Sequence, residues 1–458
     1  MSNQRLFQTL SRRNFMKGAA GLAATSAMAS GLLSACAVAP QGQATGGESA
    51  ATGDMTDVYV TTYAAFADMG QRDSTALFNE EANQRGINYI LEDNPEGWET
   101  KGLAMIREKN VRWSACGIAN AGLQWNYIQQ GLVQPLDELL QTSPLPWAQN
   151  LAEHYMYPNI HEATQYDGKT YYIPMKLNIH LMGYRQDYLE AAGYDAIPET
   201  WDEFEGLLEK LMSTLSDQNV VPFAVRKEVF RTLGTTFTTF VENPYDDKNM
   251  LRIDSEEWLQ VIKMYKRWFD AGFTNLQLLQ DPLPDWQKGA VAIGIDSHSW
   301  IRLGRSTLGV EKVAGTVPPK VDAANPKRTW VHLDSGFVLA EAPHPQEGLD
   351  WLLAVLGPEG APADRYWSGT LTFSGMPVHK QQYEKLIANS SDYPELVEAY
   401  EAVPNSVLQP MEAGRYYPII QAKIWPWLER YWGGELEAET AMENTLKEVE
   451  EELAKQSA

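Results

Sequence analysis

The sequence predicts an α/β fold in two lobes, each a mainly parallel sheet flanked by helices. Three observations carry this. At 458 residues the chain exceeds one ordinary domain and suits two lobes of roughly 150 to 200 residues. From residue 58 onward, short strand-like runs alternate with helical patterns, the rhythm of βαβ units. Several of those helices carry start and stop signals that fix them locally.

In chain order, VYVTTY (residues 58–63) reads as a strand, residues 74–85 as a helix and NYIL (residues 88–91) as the next strand. Thr200-Trp201-Asp202-Glu203 is a capping box, in which the Thr200 hydroxyl accepts from the Glu203 amide and the Glu203 carboxylate accepts in return. Behind it Phe204, Leu207, Leu208, Leu211, Met212 and Leu215 share one helical face. Residues 255–271 form a second helix, with Leu259, Ile262, Tyr265, Trp268 and Phe269 inward and Gly272 as terminator. A third, residues 346–356, follows His344-Pro345 and stops at Gly357-Pro358. In residues 441–455 Met442, Leu446, Val449 and Leu453 recur on one face. AVAIGI (residues 290–295) and GFVLA (residues 336–340) supply further strands, and no fixed-period repeat is visible.

The leader is distinct from this body. Residues 1–35 have a basic start, a short apolar stretch and small residues at the end, as secretory signals do. Ser11-Arg12-Arg13-Asn14-Phe15-Met16-Lys17 resembles a twin-arginine export signal, and Leu33-Ser34-Ala35-Cys36 resembles a lipoprotein cleavage box. These resemblances imply that Cys36 becomes the lipidated first residue, holding the protein on the extracytoplasmic face of a membrane, in the periplasm or at the cell surface. Residues 36–56 are rich in Ala, Gly, Ser and Thr and read as a flexible linker, with a reach on the order of 25 Å. No other run of about eighteen apolar residues could cross a bilayer.

Composition narrows the function classes. Charged residues make up 21% and hydrophobic ones 44%, a folded-protein balance, and the formal net charge of −23 argues against a nucleic-acid partner. Two cysteines leave only Cys116 once Cys36 is spent, so neither an internal disulfide nor an iron–sulfur cluster is expected. His161-Glu162-Ala163-Thr164-Gln165 begins like HExxH but lacks the second histidine, and Gly168-Lys169-Thr170 lacks the upstream glycine of a P-loop. No GxSxG surrounds a serine. No catalytic residue, metal ligand or cofactor is assigned, although a pair of glycosidase carboxylates could stand among 60 acidic residues.

Aromatic residues are plentiful, with 15 Trp and 21 Tyr. Rings can cover the C–H face of a pyranose while polar neighbours bond its hydroxyls. Ordered motifs then give a more specific reading. Asp167 to Pro174 (DGKTYYIP) is similar to a family "DGKxYxxP", LMGYRQDYL (residues 181–189) to "xxxYYNKDLF", and PETWDEF (residues 198–204) to "PKTWDEF". QKGAVAI (residues 287–293) stands for "FxxGKAAM", DSHSW (residues 296–300) for "NGSW", residues 330–340 with 351–359 for a glycine-rich strand and "FLxFLTSPE", and GMPV (residues 375–378) for "GxxPVR". Over residues 58–454 the chain thus resembles the family 1 extracellular solute-binding proteins of ABC importers, of the maltose-binding-protein-like kind. The family's "PDV" is replaced here by Trp113-Ser114-Ala115-Cys116-Gly117-Ile118.

That resemblance implies a type II-like periplasmic-binding-protein fold with a ligand cleft between lobes. Residues 57–175 plus 332–372 would form the N-terminal lobe and 176–331 plus 373–458 the C-terminal lobe, with crossovers near 174–177, 318–335 and 372–380. It implies a monomeric, non-enzymatic carrier that hands a mono- or oligosaccharide to ABC permease subunits and their ATPase. Trp300 matches the tryptophan of the family's "GxW" turn, and Asp296 and His298 precede it. Tyr63 ends the first strand, where open α/β sheets place ligands. Trp98 and Glu99 follow the second strand, and Asn120 and Trp125 the next. Lys176 and Asn178 enter at the first crossover and Asp334 and Ser335 at the second, Trp367 faces the third, and Arg415 and Tyr416 fall near another aromatic contact of the family. The competing readings are an anchored glycoside hydrolase, a carrier of a charged solute such as a polyamine or glycerol phosphate, and an adhesin or sensor without a deep cleft.

Overall fold

The computed structural model describes residues 55–94, 99–373, 375–388 and 390–456. The leader, Cys36 and the linker up to residue 54 lie outside the described residues. The elements that position the site are β1 (Thr56–Tyr63), α1 (Arg72–Ala82), β2 (Ile87–Asn94), α2 (Glu99–Arg107), β3 (Ala115–Ala119), α3 (Ala121–Gln129), β4 (Ile173–Arg185), α4 (Trp201–Thr214), β5 (Val221–Ala224) and α5 (Leu233–Phe240). They continue as α6 (Glu256–Ala271), β6 (Val291–Ser297), α7 (His298–Leu308), β7 (Val313–Thr316), β8 (Val331–Val338), α8 (Pro345–Leu356), α9 (Ala361–Phe373), α10 (Pro394–Ala402), α11 (Tyr417–Trp432) and α12 (Ala438–Gln456).

The capping signals act where the sequence puts them. Thr200 and Glu203 form the reciprocal box at the start of α4. Ser255 caps α6 through the amide of Trp258, and Gly272 ends it in the left-handed region at φ 79°. The last helix starts three residues earlier than its apolar repeat suggests.

One sheet runs in the order β2-β1-β3-β8-β4-β6-β5, with β7 also on β4. Its outer pairs, β1 with β2 and β3 and β5 with β6, are parallel. The central pairs around β8 and β4 are antiparallel. Strand β4 is 13 residues long and buried throughout. Its residues 173–179 pair with β8, whereas 180–185 pair with β6 and β7. The sheet therefore passes from one half to the other between Ile179 and His180, and returns at Val331.

Two cores flank this change of partners. The first joins Val58, Ile118, Phe337, Trp351 and Leu352, and the second joins Phe204, Leu208, Trp258, Tyr265, Trp268, Trp425 and Leu428. Eight tryptophans among the described residues are under 2% exposed, so aromatic content here mostly builds core. Among the described residues no helix is long and apolar enough to cross a membrane.

Candidate functional site

Side chains alternate across a strand, so Lys176, Asn178 and His180 share one face of β4 while Leu177 and Ile179, both fully buried, share the other. The register sets His332 opposite Asn178 and Asp334 opposite Lys176. These five side chains make a polar floor where the sheet changes halves. Lys176 Nζ lies 3.4 Å from Asp334 Oδ2, to which Asn178 Nδ2 also donates at 3.4 Å. His180 Nδ1 is 3.1 Å from Phe230 O and 2.9 Å from Thr235 Oγ1. The His180 and His332 rings meet edge to face at 5.3 Å.

Over this floor lies a cavity of about 320 Å³. One wall is the first turn of α3, namely Asn120, Ala121, Gly122 and Leu123; the opposite wall is Glu228, Phe230 and Arg231 from the segment after β5, and Gln409 and Tyr417 close the side. Asn120 follows β3 with extended backbone and makes no side-chain cap bond, while its carbonyl accepts from the Leu123 amide at 2.9 Å. Tyr417 donates its hydroxyl to Glu228 Oε1 at 3.1 Å, and Arg231 Nε donates to Glu228 Oε2 at 2.6 Å. Asp296 accepts from Arg226 Nη1 at 2.6 Å and from Arg231 Nη1.

The charges around the cavity cancel. Lys176, Arg226 and Arg231 stand against Asp334, Glu228 and Asp296, each within an ion pair of this set. Burial works to raise the Asp296 carboxyl, but Arg231 and Arg226 overcome it and hold the group well below the usual carboxylate range. Burial lowers the Lys176 ammonium, with Asp334 opposing. Burial also drives His180 well below its ordinary value, helped by His332 and Arg231, and pushes His332 down to about 4 against the pull of Asp334. Both imidazoles are neutral at pH 7.

Of the residues singled out from sequence, Asn120, Asn178 and Asp334 line the cavity. Lys176 and Asp296 stand behind its lining and hold Asp334 and Arg231 in place. Ser335 is buried beside Asp334, and Tyr63 is buried with its ring 6.2 Å from Phe66. Arg415 spreads over the rings of Trp125 at 5.9 Å and Tyr416 at 5.6 Å, linking α3 to the segment before α11. Trp98 and the Glu99 side chain lie outside the described residues.

Three residues expected at the ligand are buried with internal partners. Trp300, 2% exposed, stacks on Trp286 at 5.1 Å over a slot left by Gly183 and Gly294. His298 is fully buried with Nε2 3.0 Å from Glu395 Oε1. Trp367 is fully buried and donates to Gly357 O at 2.9 Å. In each case the residue sits on a helix, α7 or α9, that packs its side chain into core.

Sequence reasoning missed His180, His332, Glu228, Phe230, Arg231, Gln409 and Tyr417. The polar alternation in KLNIH and HLD, inside otherwise apolar strands, carries a signal for the two histidines. Nothing local marks the others.

Residues 73–405 match a family described as bacterial extracellular solute-binding protein. A protein of Brucella abortus (strain 2308) whose name describes a binding protein is 29% identical over 199 residues, 43% of this chain and 46% of the relative, so the match spans about half the relative's length. The sugar-binding protein MalE of Xanthomonas citri superposes with a TM-score of 0.71 at 15% identity, over 88% of this chain and 98% of that one. An ABC transporter solute-binding protein from Thermotoga lettingae, bound with alpha-D-tagatose, gives 0.66 at 18% identity over 87% and 99%.

Proposed function

We propose that this chain, which belongs to the bacterial extracellular solute-binding proteins, captures a neutral carbohydrate of one or two rings between the halves of its sheet and delivers it to an ABC permease. The charge balance around the cavity carries the substrate class. Three cations and three anions neutralise one another within the wall, leaving no surplus for a polyamine or a phosphate ester. The volume, about 320 Å³, is at the small end of the usual range of about 300 to 1,000 Å³ for ligand pockets. Both solved neighbours are described as sugar binders, one of them with tagatose, which supports the same reading.

The mechanism is capture and release, with no bond made or broken. Ligand would touch α3 on one side and the 228–231 segment on the other, favouring the closed arrangement by its differential affinity. A swing from 1:99 to 99:1 needs about 5.5 kcal/mol. The lobes divide near the partner change in β4, and Cys36 anchors a monomer outside the cytoplasm through the linker. A thermal-shift screen tests the substrate: sugar at a hundred times its dissociation constant should add about 2.7 kcal/mol to stability. Shifts confined to putrescine or glycerol 3-phosphate would overturn the carbohydrate reading. Labelling with radioactive palmitate, lost in a Cys36→Ala chain, tests the anchor.

A further inference from the structure

We propose that Asn178 Oδ1 and His180 Nε2 form a pair of hydrogen-bond acceptors that sets the specificity of the cavity, selecting ligands that present two hydroxyl hydrogens from different ring carbons. The inference rests on the carbohydrate reading and deepens it.

The chemistry of the partners fixes both atoms as acceptors. Asn178 turns its amide nitrogen toward the Asp334 carboxylate. Reversing the side chain would set oxygen against carboxylate oxygen, so Oδ1 is the atom left over. His180 Nδ1 faces two oxygens, the Phe230 carbonyl, which can only accept, and Thr235 Oγ1, whose own hydrogen is donated to that same carbonyl; Nδ1 therefore holds the proton and Nε2 a lone pair. Neither Oδ1 nor Nε2 has a hydrogen-bond partner among the described residues, and the two side chains are 8% and 1% exposed. Both residues line the cavity.

Buried acceptors without donors are costly, and a ligand hydroxyl relieves that cost. A ring position without its hydroxyl leaves the acceptor bare, and a site built to bond a hydroxyl rejects such an analogue strongly. Positions 178 and 180 are separated by about 6.6 to 6.8 Å of strand, which favours two hydroxyls over one shared between them. An anionic oxygen directed at either atom would meet only lone pairs.

Calorimetric titration of the unmodified protein tests this. The tightest binder from D-glucose, D-galactose, D-mannose, D-fructose, maltose and trehalose is compared with its monodeoxy and deoxyfluoro analogues, since fluorine removes the donated hydrogen while keeping the ring. We expect two positions at which both replacements weaken binding on the order of 10- to 100-fold. In Asn178→Ala one of those penalties should vanish, and in His180→Ala the other, with melting curves confirming that each variant is folded. Penalties spread evenly over the ring, or unchanged in the folded variants, overturn the acceptor pair while leaving the carbohydrate reading intact. Binding of none of the six sugars sinks that reading, and the pair with it.

Discussion

Gly122, in the cavity wall, and Gly414 bring two backbones together: a β-carbon on Gly414 would stand 3.1 Å from the carbonyl oxygen of Gly122. Gly122 belongs to α3, whose Tyr127 packs in the first core, while Ala413 and Tyr416 beside Gly414 pack in the second. The contact thus joins the two halves, and the absence of side chains lets them meet.

A larger residue there should hold the halves apart. Gly414→Val is expected to weaken ligand binding by about tenfold or more, because apparent affinity falls with the fraction of closed protein. The melting temperature of the ligand-free protein should change little. Titration calorimetry with small-angle scattering checks this; unchanged affinity would mean that the contact is not part of closure.

Lys176 and Asp334 are each about 4% exposed in their side chains. Removing one partner strands the other charge in the floor, so Lys176→Met should cost about 3 to 5 kcal/mol in urea unfolding. The double change Lys176→Met with Asp334→Asn should recover part of the loss, since no lone charge then remains.

Stability should fall in acid in two stages. His332 titrates near 6.5 when unfolded and is pushed down to about 4 when folded, chiefly by burial. Between those values the unfolded chain binds more protons, so its contribution is complete above pH 6.5 and is lost as pH falls toward 4. Burial works to raise Glu395, but His298 and Arg305 hold it down to about 2, so a second loss runs from about 4.5 to 2. Urea midpoints measured from pH 7 to 3 should show His332→Gln removing part of the first stage, to which buried His180 and His379 also contribute, and sparing the second.

The Trp300 indole fills the slot between Gly183 and Gly294, where a β-carbon on Gly294 would lie 2.8 Å from Cζ2. Trp300→Ala should destabilise by about 3 to 5 kcal/mol through the cavity it leaves. Sugar affinity of the folded fraction should stay within about twofold, because the ring does not reach the cavity. A large affinity loss with unaltered stability would place Trp300 at the ligand after all.

Elements whose causes are local were legible residue by residue. The Thr200–Glu203 box, the Ser255 cap and the Gly272 stop act within a few residues, so their helices form where the text puts them. Ordered motifs carried the family; the end of β3 pointed to Asn120, and the crossovers implied by the resemblance pointed to Asn178 and Asp334, all three of which line the cavity. Which faces meet was settled by packing between remote segments. The walls unite positions near 120, 180, 230, 332 and 417, and Arg231 finds Asp296 65 residues away. Trp300 shows the same limit from the other side: its motif marks a turn, but whether the ring meets ligand or core depends on the space that distant Gly183 leaves in β4. Capping and periodicity are written between neighbours in the chain, whereas charge pairing and packing are settled only when remote segments compete for the same buried volume.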